Sequence, residues 1–257
     1  MKHGIGIAGI AGRMGQMLVQ EVAAAGAPLS GGIDRPGVSD VGAVALFSDM
    51  TGLAEASEVV IDFTHASTAR LHARMIARAG TPWVIGTTGL SAEDEAELRE
   101  AAKRIPVVYA PNFSPGVNLV LALAEKMAAA LPAARYDAEI VEMHHRQKVD
   151  APSGTAIGMG QAVARGRGVV LADVMESGRD GHTGARKDGA IGFSAMRGGQ
   201  VVGEHTLLFA AADEHIALTH RAFDRRVFAA GAVRAALWAR GKAPGLYSMM
   251  DVLGMGA

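Results

Sequence analysis

The stretch GIGIAGIAGRMG, Gly4 to Gly15, decides the fold. Ile5, Ile7 and Ala8 make a short apolar run suited to a buried strand, and from Arg13 onward Met14, Met17, Leu18 and Val22 recur near helical spacing. Between strand and helix stand Gly9, Gly12 and Gly15. Glycine at such a turn lets the backbone bend sharply and approach a pyrophosphate, whose charge is stabilised by the helix N-terminus. The spacing is GxxGxxG rather than the commoner GxGxxG, so the surroundings must support the reading. They do so through Asp34, an acidic residue just after a second strand at Leu29 to Ile33 and about 20 residues beyond the turn. An aspartate there accepts hydrogen bonds from adenosine ribose hydroxyls, which favours NADH, while Arg35 beside it can meet the extra phosphate of NADPH.

Outward from this turn, strand-like and helix-like runs alternate through roughly the first 110 residues, the pattern of a doubly wound parallel sheet with helices on both faces. Val59 to Phe63, Trp83 to Ile85 and Val107 to Ala110 read as further strands; His65 to Ala79 and Ala92 to Lys103 read as helices. Two turns fall at successive strand ends, Gly86, Thr87 and Thr88 followed by Gly89, then Ala110, Pro111, Asn112 and Phe113 followed by Ser114. Small and hydroxylated residues at the carboxyl ends of parallel strands can line a nicotinamide ribose pocket. Asp62, Phe63 and Thr64 belong to the same rim.

After Pro115 the character changes. An alanine-rich helix at Val117 to Ala130 precedes a strand at Asp137 to Met143 and a helix at Thr155 to Ala164. Three late strands joined by short links, Ile191 to Met196, Glu204 to Phe209 and His215 to His220, predict a mixed or antiparallel sheet. The sequence therefore predicts an α/β nucleotide domain over residues 1–114 and 224–257, the helix at Asp224 to Arg240 packing back on it. A second, α+β domain over 115–223 is expected to bind substrate and to mediate oligomerisation. Residues Glu176 to Gly189, polar and glycine-rich, read as a mobile surface loop.

Chemistry concentrates in EMHHRQKVDAPSGTA, Glu142 to Ala156. Apolar Ile140, Val141 and Met143 suit a strand packed on both faces, the run turns polar at His144 and His145, and Ser153 can cap a helix starting at Gly154. His144, His145 and Lys148 are protonatable, and Ser153, Gly154 and Thr155 offer hydroxyls and helix-start amides to a carboxylate. Neighbouring side chains rarely face one metal together and no third ligand has suitable spacing, so no metal site is expected.

Composition bounds the function. The charge balance, 25 basic against 26 acidic residues, gives no broad attraction for nucleic acid or an anionic membrane. The absence of cysteine excludes disulfides, thiolate catalysis and cysteine-ligated metals. With no apolar run near the ~20 residues of a membrane helix, and with MKHGIGIAG opening directly into a strand-like run, a soluble cytoplasmic protein is expected.

Taken together, these motifs resemble the dihydrodipicolinate reductase family of bacterial lysine and diaminopimelate biosynthesis over nearly the full length. GIAGRMG resembles its nucleotide turn, EMHHRQKVDAPSGTA its substrate signature, and GTTG, APNFSPGVN and PGLYSMMDVLG its other marked segments. The resemblance implies reduction of the cyclic dicarboxylate product of dihydrodipicolinate synthase to tetrahydrodipicolinate with NADH or NADPH, in a homotetramer. By position it implies that His144 and Lys148 transfer protons and that His145, Gly154 and Thr155 touch substrate. For the cofactor it implies Gly9, Ile10, Ala11, Gly12, Arg13 and Met14, with Asp34, Arg35, Gly86 to Thr88 and Ala110 to Phe113. Asp34 is one carbon shorter than the glutamate frequent in bacterial members, and Pro111 replaces a small residue. A hinge between domains would bring cofactor and substrate together. Competing readings are another two-domain dehydrogenase, such as one acting on aspartate, and a non-enzymatic nucleotide sensor; the sensor would not need His144, His145 and Lys148 grouped before a carboxylate-binding turn.

Overall fold

The computed structural model describes residues 2–38, 41–42 and 44–256, so Met1 and Ala257, the ends of the expected nucleotide domain, lie outside the described residues. Two compact units form: one runs to Pro115 and resumes at Arg226, and the other is Gly116–Arg225. Among the described residues no helix is long and apolar enough to cross a membrane.

In the first unit the chain runs β1 (Ile5–Ala8), α1 (Arg13–Ala24), β2 (Leu29–Ile33), α2 (Met50–Ala56), β3 (Val59–Asp62), α3 (Ala66–Ala79), β4 (Trp83–Ile85), α4 (Ala92–Ala102) and β5 (Pro106–Tyr109). The sheet has the order β11-β5-β4-β3-β1-β2, with β11 (Gly245–Tyr247) at one edge, and every pairing is parallel. Outside β2 the chain passes once more in parallel, as a single bridge between Gly32 and Leu46. Counting that bridge as a strand gives the order of a dinucleotide-binding sheet, with the reversal of strand order beside β1.

Successive side chains of these strands point to opposite faces, and both faces are apolar because helices cover each of them. Ile5, Ile7, Val59, Ile61, Val84 and Val108 face α1 and the late helix α8 (Arg226–Ala239). Ala8, Val60, Trp83, Ile85 and Val107 face α2, α3 and α4. The α8 helix lies close because its buried stripe is Ala229, Gly231, Ala232, Ala235, Ala236 and Ala239. A Cβ on Gly231 would come to 1.8 Å from the Phe113 carbonyl oxygen. The sequence reading missed α2 and β11, together with α9 (Met249–Val252). These elements are short, four to seven residues in the helices and three in β11, too few to display a period.

The second unit contains α5 (Pro115–Ala130, its first residue excepted), β6 (Asp137–His144), α6 (Gly154–Arg167), α7 (Leu171–Val174), β7 (Met175–Ser177), β8 (Ile191–Arg197), β9 (Gly203–Ala210) and β10 (His215–Ala222). Its sheet has the order β10-β9-β6-β8-β7 and is mixed: β10, β9 and β6 pair antiparallel, β6, β8 and β7 parallel. One face carries Ala138, Ile140, Ile191, Phe193, Leu207 and Phe209 against α5 and α6. The expectation that β6 packs on both faces needs correction. Its buried positions are Ala138, Ile140, Glu142 and His144, while Val141 is 36% exposed. Nor is the segment Glu176 to Gly189 merely solvated: Arg179 pairs with Glu139 and Glu176, and Arg186 with Asp137 and Glu139, lacing it to β6.

Because Gly231 sits against a carbonyl rather than a movable side chain, Gly231→Ala should lower stability by about 2 kcal/mol or more through overpacking. Denaturant titration will read this as a lowered midpoint, and an unchanged midpoint would contradict the close seating of α8.

Candidate active site

In the first unit a cleft of about 580 Å³ opens where β1 hands over to α1. Gly9, Ala11 and Gly12 line it on one side, Asp34, Arg35 and Pro36 on another, and Phe63, Thr64, His65, Thr68 and His72 close it. Gly9 has φ +80°, and a Cβ on Gly15 would stand 2.2 Å from the Gly9 carbonyl oxygen, so both positions exclude larger residues. The Ala11 N–H donates to Asp34 Oδ2 at 2.8 Å and the Arg35 N–H to Oδ1 at 2.8 Å, which ties the acidic residue to the glycine turn. At the back of the cleft His72 bonds through Nδ1 to fully buried Asp62 at 2.8 Å, and the Thr64 hydroxyl donates to the other oxygen of Asp62 at 2.6 Å.

The expected cofactor residues separate into two groups. Gly9, Ala11, Gly12, Asp34 and Arg35 line the cleft. Ile10 is turned into the core, 1% exposed, and its N–H donates to the Ile33 carbonyl. Arg13 and Met14 begin α1. Gly86 packs beneath the Phe63 ring, which a Cβ at 86 would strike, and the Thr87 hydroxyl donates to the Thr64 carbonyl at 3.2 Å. Thr88 is exposed. Ala110 and Phe113 are buried, Phe113 at 5.6 Å from the Phe63 ring, with Pro111 exposed and Asn112 accepting from the Ser114 N–H. Thr64 falls on the rim as expected, whereas His65, Thr68 and His72 were missed, because α3 and its N-cap read as an ordinary helix.

In the second unit the polar end of β6 is built around Glu142, 1% exposed. Its Oε2 meets His144 Nδ1 at 2.6 Å, its Oε1 accepts the Ser153 N–H at 3.1 Å, and Arg197 donates to both oxygens at 2.8 Å. Burial alone would raise the Glu142 pKa, but bonding to Arg197, His144 and Ser153 outweighs it and the pKa is lowered. His144 is also lowered, chiefly by burial and further by the charges of Lys148 and Arg197, with Glu142 opposing. Its Nε2 lies beside Gly203, where a Cβ would approach to 3.0 Å. Lys148 pairs with Asp150 at 2.8 Å, and Arg225 Nη2 lies 3.3 Å from His145 Nε2.

Ser153 caps α6 as expected, accepting the Ala156 N–H at 3.2 Å, but its hydroxyl also bonds His205 Nε2 at 2.8 Å. With 2% exposure this hydroxyl faces the interior, so the role expected of it toward substrate is not the one its contacts favour. Gly154 is exposed and a Cβ there would meet nothing within 4 Å beyond its chain neighbours and its own helix, so the space above the first turn of α6 is open beside Thr155. Glu142, Arg197, His205 and Arg225 were missed by sequence reasoning. His205 had a signal: along GEHTLLFA it occupies an inward position shared with Gly203, Leu207 and Phe209. Its ring stands edge-on to His144, centroids 5.0 Å apart.

Comparison with known proteins places this arrangement. Residues 3–113 match the model for the dihydrodipicolinate reductase N-terminus and residues 116–253 that for its C-terminus. The chain belongs to the dihydrodipicolinate reductase family. A relative from Granulibacter bethesdensis named 4-hydroxy-tetrahydrodipicolinate reductase is 70% identical over 98% of this chain and 97% of its own. A solved dipicolinate-bound dihydrodipicolinate reductase from Paenisporosarcina sp. TG-14 is 25% identical with TM-score 0.79, covering 98% and 99% of the two chains. The aspartate dehydrogenase of Thermotoga maritima, 10% identical with TM-score 0.52 over 95% of this chain and 99% of its own, shares the fold alone. The reductase family thus accounts for both units, although the stretch matched to its C-terminus includes α8 and β11, which build the first unit.

His205 gives a pH test. Burial, with help from the charge of His144, pushes its pKa from 6.5 down to about 4. The unfolded chain therefore takes up the proton first, and stability present above about pH 6.5 is lost as pH falls toward about 4. Stability from denaturant unfolding should fall by about 2 kcal/mol between about pH 7 and about pH 4.5, much less in His205→Asn. Equal pH dependence in both proteins would remove His205 as its source.

Proposed function

We propose that this chain reduces 4-hydroxy-tetrahydrodipicolinate, the cyclic product of dihydrodipicolinate synthase, to tetrahydrodipicolinate with NADH or NADPH, in lysine and diaminopimelate biosynthesis. The observation that carries the reading is the buried Glu142–His144 pair beside Lys148 and the first turn of α6, in a chain whose 70% identical relative bears that reductase's name.

The first unit's cleft fits a nicotinamide dinucleotide: a glycine turn that added side chains would obstruct, a helix start facing it, and a carboxylate anchored at the ribose position. Gly9, Ala11 and Gly12 would line the pyrophosphate at the start of α1 and Asp34 would meet the adenosine ribose, with Arg35, exposed beside it, available to a 2′-phosphate. When bound, the reduced nicotinamide supplies a hydride. Everything else falls to the chain's own side chains. The substrate carboxylates are held by the amides of Gly154 and Thr155 and by His145, whose neighbour Arg225 adds positive charge. Hydride arrival on the unsaturated ring gathers negative charge on a neighbouring atom, which a proton must satisfy. Lys148 delivers it as an ammonium, and His144, with Nδ1 held by Glu142, exchanges protons through Nε2. The chain acts in the cytoplasm as the homotetramer its family resemblance implies, and the second sheet's uncovered face, where Val141 is 36% and Met196 49% exposed, supports association between copies.

Supplying freshly made synthase product and following absorbance with each nucleotide tests the assignment; well-folded protein that oxidises neither would sink it. Lys148→Ala should lower turnover by about 10²-fold or more with folding intact. Unchanged turnover would reject Lys148 as the donor. In the same assay Arg35→Ala should raise KM for NADPH while leaving KM for NADH nearly unchanged; equal effects on both would remove Arg35 from phosphate recognition.

A further inference from the structure

Glu142 cannot meet substrate, because 1% of its surface is exposed, yet four donors converge on it, two per oxygen: Ser153 N and Arg197 Nη2 on Oε1, His144 Nδ1 and Arg197 Nη1 on Oε2. We propose that Glu142 is a positioning residue whose one carboxylate sets both the tautomer of His144 and the placement of the first turn of α6, with Arg197 fixing the carboxylate between them. This rests on the reductase reading and deepens it.

The tautomer follows from donor and acceptor inventory. An ionised carboxylate only accepts, so His144 Nδ1 must carry its proton and Nε2 must present a lone pair toward the gap left by Gly203. The registry follows from the other oxygen. Ser153 is both the residue whose N–H reaches Glu142 and the N-cap of α6, so the helix turn expected to hold a substrate carboxylate is hydrogen-bonded to the same group that orients the proton carrier. Arg197 sits directly across from His144 in the parallel pairing of β6 with β8, which brings its guanidinium over the Glu142 carboxylate, and it also donates to the Asp150 carbonyl at 2.6 Å. The charged and titratable groups facing His144 are Glu142 on its own strand, Lys148 from the following loop, Arg197 from β8 and His205 from β9.

Glu142→Gln separates positioning from a stabilising ion pair. The glutamine carbonyl keeps the two donors of Oε1, the Ser153 N–H and Arg197 Nη2, so its NH₂ group replaces Oε2, displaces Arg197 Nη1, faces His144 Nδ1 and forces the proton onto Nε2. Neutron diffraction should show deuterium on Nδ1 of His144 in the native protein and on Nε2 in the variant. Turnover should fall about 10²-fold, more than KM changes, and the acidic inflection of the kcat profile should move to lower pH once the carboxylate charge is gone. Glu142→Asp, which keeps the charge, should recover part of the loss. Native His144 protonated on Nε2, or E142Q turning over within about twofold of native with an unmoved pH profile, would overturn the proposal. If the variants fail to fold, the native tautomer still decides, and it does so even if the reductase assay fails.

Discussion

A carboxylate removed from water must be answered by donors. Placing Glu142 on the covered face of a β-sheet would be strongly unfavourable by itself, and the second unit is arranged around the answer. Parallel pairing of β6 with β8 brings Arg197 across the strand, the turn before α6 offers the Ser153 N–H, and the residue two places along the strand, on the same face, is His144. Each of these groups would be poorly satisfied without the others. The polar end of the sheet is thus as sharply specified as its apolar end, where Phe193, Leu207 and Phe209 meet α5 and α6.

The first unit obeys a different constraint, closeness of approach. Its sheet is buried on both faces, and the helices of one face reach it through small residues: Gly15 at the start of α1 against the Gly9 carbonyl, Gly231 and the alanines of α8 against the turn at Phe113. Close packing of this kind leaves the strand ends as the places where space remains. The cleft forms at the reversal of strand order, where neighbouring connections run to opposite faces of the sheet.

Much of this was legible in the residues. The glycine turn, Asp34 and the alternation of apolar runs predict the parallel sheet, because periodicity and glycine spacing express backbone geometry directly. The mixed sheet followed from three strands with short links. What escaped detection depended on pairing across distance. Arg197 lies 55 positions from the glutamate it clamps, and nothing local distinguishes it from a solvated strand-end arginine. Glu142 lies inside the predicted strand but carries no role in the sequence reading, since a period of two with Glu and His on the inward face mimics a strand leaving the core. Ser153 was read as facing substrate because a capping hydroxyl and a ligand-binding hydroxyl have the same sequence signature; only His205, brought over by β9, distinguishes them.

The alternation along β6 carries a constraint of its own. Glu142 and His144 point inward while Val141 and Met143, interleaved with them, belong to the opposite side of the sheet. A single inserted or deleted residue in this strand would exchange the two sets, sending the acid-base pair out and the aliphatic pair in. The outward positions of the strand between Asp137 and His144 can therefore vary in side chain, while its length and its inward Glu142 and His144 cannot.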